Sequence, residues 1–137
     1  MPEDSFNFPD VTRAHVEASM GWFEKLCEKE RWNLSLTERA TILGGISSTK
    51  YENLLHGDLD DFPPSEKNDV IERLSILITI FKYLRALVGN DHAYSLFSRA
   101  NSNPVFAGKS IKETLLANNS IEQFYVVRKY LLDSAHY

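Results

Sequence analysis

An all-α fold is what this sequence predicts: a helix-turn-helix-like N-terminal bundle joined by a long central helix to a C-terminal helical region. Three observations point there. Apolar residues recur at three- and four-residue intervals in the long segments, the spacing that gathers side chains on one face of a helix. Ser35 to Glu38, Ser110 to Glu113 and Asn119 to Glu122 each have the form of a capping box, in which two side chains satisfy free backbone donors at a helix start. No segment alternates apolar and polar residues with period two, and no solenoid-length repeat or low-complexity tract is present. About seven helices follow from these starts and stops.

Residues 1–9 contain two prolines and no periodicity, and read as an arm before a first helix that Asp10 caps. Val11, Ala14, Ala18, Trp22 and Leu26, with Phe23 beside them, give that helix an apolar face down to about Arg31. The Ser35 box opens a short helix that ends at Gly44-Gly45, where glycine permits a left-handed turn. Ser47 or Ser48 then caps a second short helix carrying Tyr51, Leu54 and Leu55 and stopping at Gly57. Residues 57–64, GDLDDFPP, are the clearest break, because a Pro-Pro pair among acidic residues cannot continue a helix. The boundary placed there separates residues 1–62 from residues 63–137.

Beyond the break, Ser65 is the expected cap of a helix reaching about Val88, roughly 35 Å long at 1.5 Å per residue. Its apolar positions, from Val70 to Val88, cover more than one stripe, as in a central helix or a dimer interface. Gly89-Asn90-Asp91 closes it and caps a further helix through Ala93, Leu96 and Phe97. A loop from Asn101 to Lys109, holding Pro104 and Gly108, precedes the Ser110 box and a helix to about Ala117; the last helix runs from Ser120.

At 137 residues the chain has room for one domain, or for two small subdomains sharing a core. Its 43% hydrophobic and 25% charged residues are ordinary for a globular protein and exclude disordered and disulfide-scaffold classes. The single cysteine, Cys27, reads as a small buried hydrophobe. Acidic Glu3 and Asp4 stand where a secretory signal has basic residues, so the cytoplasm is the expected compartment. The most apolar stretch, Leu74 to Phe81, is far short of the ~20 residues that span a bilayer.

Chemistry is sparse. His15, His56, His92 and His136 lie in separate elements with no second ligand at metal spacing. No phosphate-binding glycine string or nucleophile elbow is present. Asp58, Asp60 and Asp61 share a proline-flanked loop that reads as a solvated linker. No catalytic residue, metal or cofactor is expected, and the chain reads as a non-enzyme.

Two segments have binding character. The second short helix carries Ser47, Ser48, Thr49, Lys50 and Asn53, residue types that suit a major groove. Lys50 is the only formal cation between Thr41 and Pro64, however, and Glu52 sits beside that face, so one copy neutralises phosphate poorly. A relic scaffold and dimer-dependent DNA binding are both open. Residues 1–64 hold 6 Lys+Arg against 12 Asp+Glu, and residues 65–137 hold 9 against 7, so the halves carry −6 and +2. The basic half suits an acidic protein surface. It includes the last helix, with Ile121, Phe124, Val127 and Leu131 on one face and Tyr125, Arg128, Lys129 and Leu132 displaced from it.

From about Trp32 to Tyr137 the sequence resembles the Xre/MbcA/ParS toxin-binding antitoxins. The N-terminal likeness, Leu34-Ser35, Glu38, Leu43-Gly44, Ser47 and Thr49, is to an Xre-like helix-turn-helix. The sharper likeness is C-terminal: Arg99 and Asn101, then Phe106, Gly108, Lys109 and Ser110, then Phe124-Tyr125-Val126-Val127-Arg128-Lys129-Tyr130-Leu131, similar to the family's aromatic-tyrosine-x-valine-arginine-arginine-tyrosine-leucine signature. The resemblance implies a type II antitoxin that binds a RES-domain toxin, an enzyme degrading NAD or transferring ADP-ribose, and blocks its active site with the C-terminal helix and tail. It implies toxin contacts at Arg99, Asn101, Phe106, Gly108, Lys109, Tyr125, Arg128, Lys129, Asp133, His136 and Tyr137, a homodimer, and operator DNA as a partner of the complex. The alternative is a helix-turn-helix transcriptional regulator acting alone. Two features depart from the family pattern: Ser134-Ala135-His136-Tyr137 replaces a glycine-glycine-aromatic tail, and Gly45 stands where relatives have valine.

Overall fold

The computed structural model describes residues 12–101 and 103–135, and among them every regular element is helical, with no strand. In order they are α1 (Arg13–Leu26), α2 (Leu36–Ile42), α3 (Ser48–Leu55), α4 (Pro64–Ser98), a 3-10 turn (Pro104–Phe106), α5 (Ile111–Ala117) and α6 (Ile121–Ala135).

Helix α1 differs most from its expectation. Thr12 caps it, the Thr12 hydroxyl accepting from the His15 amide at 3.2 Å; Asp10 and Val11 lie outside the described residues. It stops at Leu26 rather than Arg31, and the chain reverses as the Trp32 and Leu34 amides donate to Leu26 and Cys27 carbonyls. The buried face is Val16, Met20, Phe23 and Leu26, while Ala14 and Ala18 face solvent and Trp22 is half-buried. The stripe of Val16, Met20, Phe23 and Leu26 carries more apolar area in total than one containing Ala14 and Ala18, and burying it is worth more.

Helices α2 and α3 start and stop where their caps place them. The Ser35 and Glu38 side chains and backbone amides close a reciprocal box, and the Ser47 hydroxyl accepts from the Lys50 amide at 3.1 Å. Gly44 turns between them with φ +111°, and a Cβ there would stand 3.0 Å from Asp69 Oδ2. Gly57 ends α3 at φ +73°, where a Cβ would meet the Arg13 carbonyl oxygen at 2.4 Å, so both conformation and space demand glycine.

Helix α4 begins one residue before the expected cap: Pro64 occupies the first turn behind Pro63, and no side-chain cap is made. Proline's fixed φ already matches the helix there. The helix is interrupted where Gly89 was expected to close it, at φ 83° and ψ 169°, and continues to Ser98. The Ser110 and Glu113 box opens α5 as expected. The Asn119 box does not form. Ser120 caps α6, its hydroxyl accepting from the Gln123 amide, while the Asn119 carboxamide donates 2.8 Å to the Thr41 carbonyl. A long-range bond at the α5–α6 junction outcompeted the local one.

One hydrophobic cluster runs through both halves of the chain, from Val16 to Leu131. At its centre Trp32 stacks on Phe97 with ring centroids 3.8 Å apart, and Phe81 meets the Trp32 ring edge-on at 6.2 Å. Polar ties reinforce it. Buried Arg73 on α4 donates to Asp69 at 2.7 Å and to the Asn119 carbonyl, and lies over the Phe124 ring. Lys112 on α5 donates 3.0 Å to the Asn33 carbonyl. Arg73 also donates 3.5 Å to the Ile42 carbonyl, so the end of α2 and the α5–α6 junction are fastened to the same stretch of α4.

Candidate functional site

Two segments carry the candidate binding residues, and α3 comes first. Ser47, Ser48 and Thr49 are exposed at its start, with the Ser47 hydroxyl used as the cap. Its longer polar side chains are engaged inside the chain. Lys50 pairs with Glu66 of α4 and lies 5.2 Å over the Phe62 ring. The Asn53 carboxamide donates 3.0 Å to Asp61. Beneath them Tyr51 donates to Glu24 of α1, whose carboxylate also takes two 3.2 Å bonds from Arg39. Burial, and then the Glu24 carboxylate, hold the Tyr51 hydroxyl well above its ordinary range, so it stays a protonated donor.

The second segment joins the loop after α4 to α6. Its closure is set by the backbone: the Asn101 amide donates 3.0 Å to the Lys109 carbonyl, and the Asn101 side chain accepts from the Asn103 amide. Ala107 at φ 51° and Gly108 at φ 83° turn the chain back. Phe106 is buried and meets Tyr130 of α6 edge-to-face at 5.2 Å. It therefore anchors the loop to α6 from below and offers no contact surface itself. Arg99 and Lys109 are exposed at the two ends of the loop, with Val105 exposed between them.

On α6 the expected inward face holds: Phe124, Val127 and Leu131 are buried against the core, with Ile121 half-buried. Tyr125 donates to Glu72 of α4, and Arg128 lies 4.8 Å over the Tyr125 ring. Burial first, and then the Glu72 carboxylate, raise the Tyr125 hydroxyl well above its ordinary range. Tyr125 is a platform that orients Arg128. Lys129 and Asp133 are exposed and paired with each other at 3.1 Å. His136 and Tyr137 lie outside the described residues.

Loop and helix are thus brought together by the Phe106 to Tyr130 contact, while Ser47 to Asn53 belong to a different element. Among the described residues no three histidine, cysteine or acidic side chains gather as a metal site, and no helix is long and apolar enough to cross a membrane. Cys27 is buried, and burial pushes its thiol up to about 12. Sequence patterns gave no warning of Glu24, which binds Arg39 and Tyr51, or of the Arg73 bond to the Asn119 carbonyl, because those partners are far away in the chain. No protein family, curated protein or solved structure matches the chain.

Proposed function

We propose that this chain is an antitoxin of the Xre/MbcA/ParS type, a cytoplasmic binding protein that neutralises a RES-domain toxin through α6, the Arg99–Lys109 loop and the C-terminal tail. The observation that carries the reading is the seating of the signature residues. Tyr125, held on Glu72, supports Arg128 from beneath, and Phe106 fixes the loop that carries Arg99 and Lys109 against the same helix. A cation on an aromatic platform is preorganised for phosphate or carboxylate, so little side-chain freedom is lost on binding. Inhibition is steric: the end of α6 and the tail fill a pocket built for a dinucleotide.

In this reading α2 and α3 form an Xre-like helix-turn-helix, and α4 is the element joining it to the toxin-binding region and contributing to a homodimer. Operator contact is secondary, because Lys50 and Asn53 are already satisfied within the chain. A purified RES-domain toxin assayed for NAD consumption tests the proposal. Stoichiometric chain should abolish turnover, and truncation before Ser134 should restore it. Full inhibition by the truncated chain would refute occlusion by the tail, and no inhibition by the intact folded chain would refute the antitoxin reading.

A further inference from the structure

The face built from α1, α2 and α3 carries a groove that the toxin-binding reading does not use. Its volume is about 510 Å³, within the several-hundred Å³ range of real binding clefts. Leu36, Ala40, Ile46 and Leu55 supply apolar walls, and Glu24 and Tyr51 contribute polar groups to the lining. That polar part is rigid: Glu24 is held by both Arg39 and Tyr51, and the Arg39 Nε is itself fixed 2.8 Å from the Leu34 carbonyl. A preformed cleft of this kind binds without having to order itself first.

Two further features say what enters. Leu36, at the first position of α2, is 66% exposed, the most exposed large hydrophobic side chain among the described residues. A small molecule confined to the cleft leaves much of that leucine wet, whereas a polypeptide segment crossing the lip covers it. Charge is equally one-sided. The lining contains Glu24 and Glu52 and no lysine or arginine. Glu52 is exposed and has no ion-pair partner among the described residues, while the nearby cations Arg39 and Lys50 are committed to Glu24 and Glu66.

We infer that this groove docks a segment of a partner protein that presents a large aliphatic or aromatic side chain flanked by a lysine or arginine. The apolar side chain fills the space between Ile46 and Leu55 and covers Leu36, and the cation meets Glu52. The site lies on α1 to α3, whereas α6 packs on α4, so the two surfaces are built on different elements.

Selection of a random twelve-residue peptide library on the intact chain tests this. Enriched peptides should pair leucine, phenylalanine or tryptophan with lysine or arginine within four positions. Their affinity should fall about tenfold with Glu52→Lys and with Leu36→Asp, and stay unchanged with Lys129→Glu on α6. Both groove substitutions are at exposed positions, and an unchanged melting temperature confirms that folding is intact. Enrichment of acidic or uncharged peptides, binding indifferent to Glu52→Lys, or no enrichment at all would overturn the inference. So would phenethylamine shifting the Tyr51 and Leu36 amide resonances while no peptide is selected, which assigns the groove to a small cation.

Discussion

Helix α3 and helix α6 both display polar side chains on one face, but they use them differently. On α3, Lys50 closes onto Glu66 and Phe62, and Asn53 onto Asp61, so its polar groups fasten the loop between α3 and α4. On α6, Arg128 lies over a ring that is itself tied to α4, and it has no carboxylate partner among the described residues. Donors already satisfied must break a bond before they bind anything else, whereas a cation held over an aromatic plane gives up little. The longer polar side chains of α3 are thus engaged in structure, whereas Arg128 on α6 is held over an aromatic ring without an ion pair among the described residues.

The largest expected disturbance is to the Arg73 fastening, which ties α4 to the end of α2 and to the start of α6. Arg73→Ala removes the donors to Asp69 and to the Ile42 and Asn119 carbonyls and the cation over Phe124, and should cost about 2 kcal/mol in urea unfolding, since Asp69 can still reach solvent while the carbonyls lose their donor; a loss under about 1 kcal/mol contradicts its role. Next is the contrast itself. Arg128→Glu should weaken toxin binding about a hundredfold by calorimetry while leaving the melting temperature nearly unchanged, since reversed charge at a preorganised contact repels. Lys50→Ala, by comparison, should lower stability by about 0.5 kcal/mol, as partly exposed pairs do, and leave toxin affinity unaltered.

The last effect concerns Cys27 and is felt only in alkaline solution. Its thiol is raised in the folded state, so the stability it confers is complete below its ordinary value of 9.0 and is lost as pH climbs towards about 12. Melting temperature should therefore fall more steeply above pH 9 for the wild type than for Cys27→Ala. Tyr51 and Tyr125 are raised too and act in the same direction above about pH 10. They are present in both proteins, so the difference isolates the thiol. Parallel curves would show that the thiol is not protected.

Much of the fold was legible because helix caps are local. The Ser35, Ser47 and Ser110 starts, the Gly44 and Gly57 turns and the break at Gly89 depend on residues within a few positions of each other. What local pattern could not settle were choices made by distant partners. Asn119 looks like a cap, yet its carboxamide reaches Thr41. Ala14 and Ala18 share a helical stripe with Trp22, yet Met20 and Phe23 take the core. Of the candidate site, the inward face of α6 could be read from its spacing. The burial of Phe106 and the pairing of Lys50 could not, since each depends on a residue at least sixteen positions away.

The most direct test puts the two helices in competition within one protein. Affinity of the intact chain is measured in the same low-salt buffer for a RES-domain toxin and for a duplex from the region upstream of its own coding sequence. The expected result is tight toxin binding that Arg128→Glu disrupts, with no binding of the isolated chain to the duplex. Duplex binding that Lys50→Ala abolishes, with toxin affinity absent or indifferent to Arg128→Glu, would contradict the assignment of function to α6.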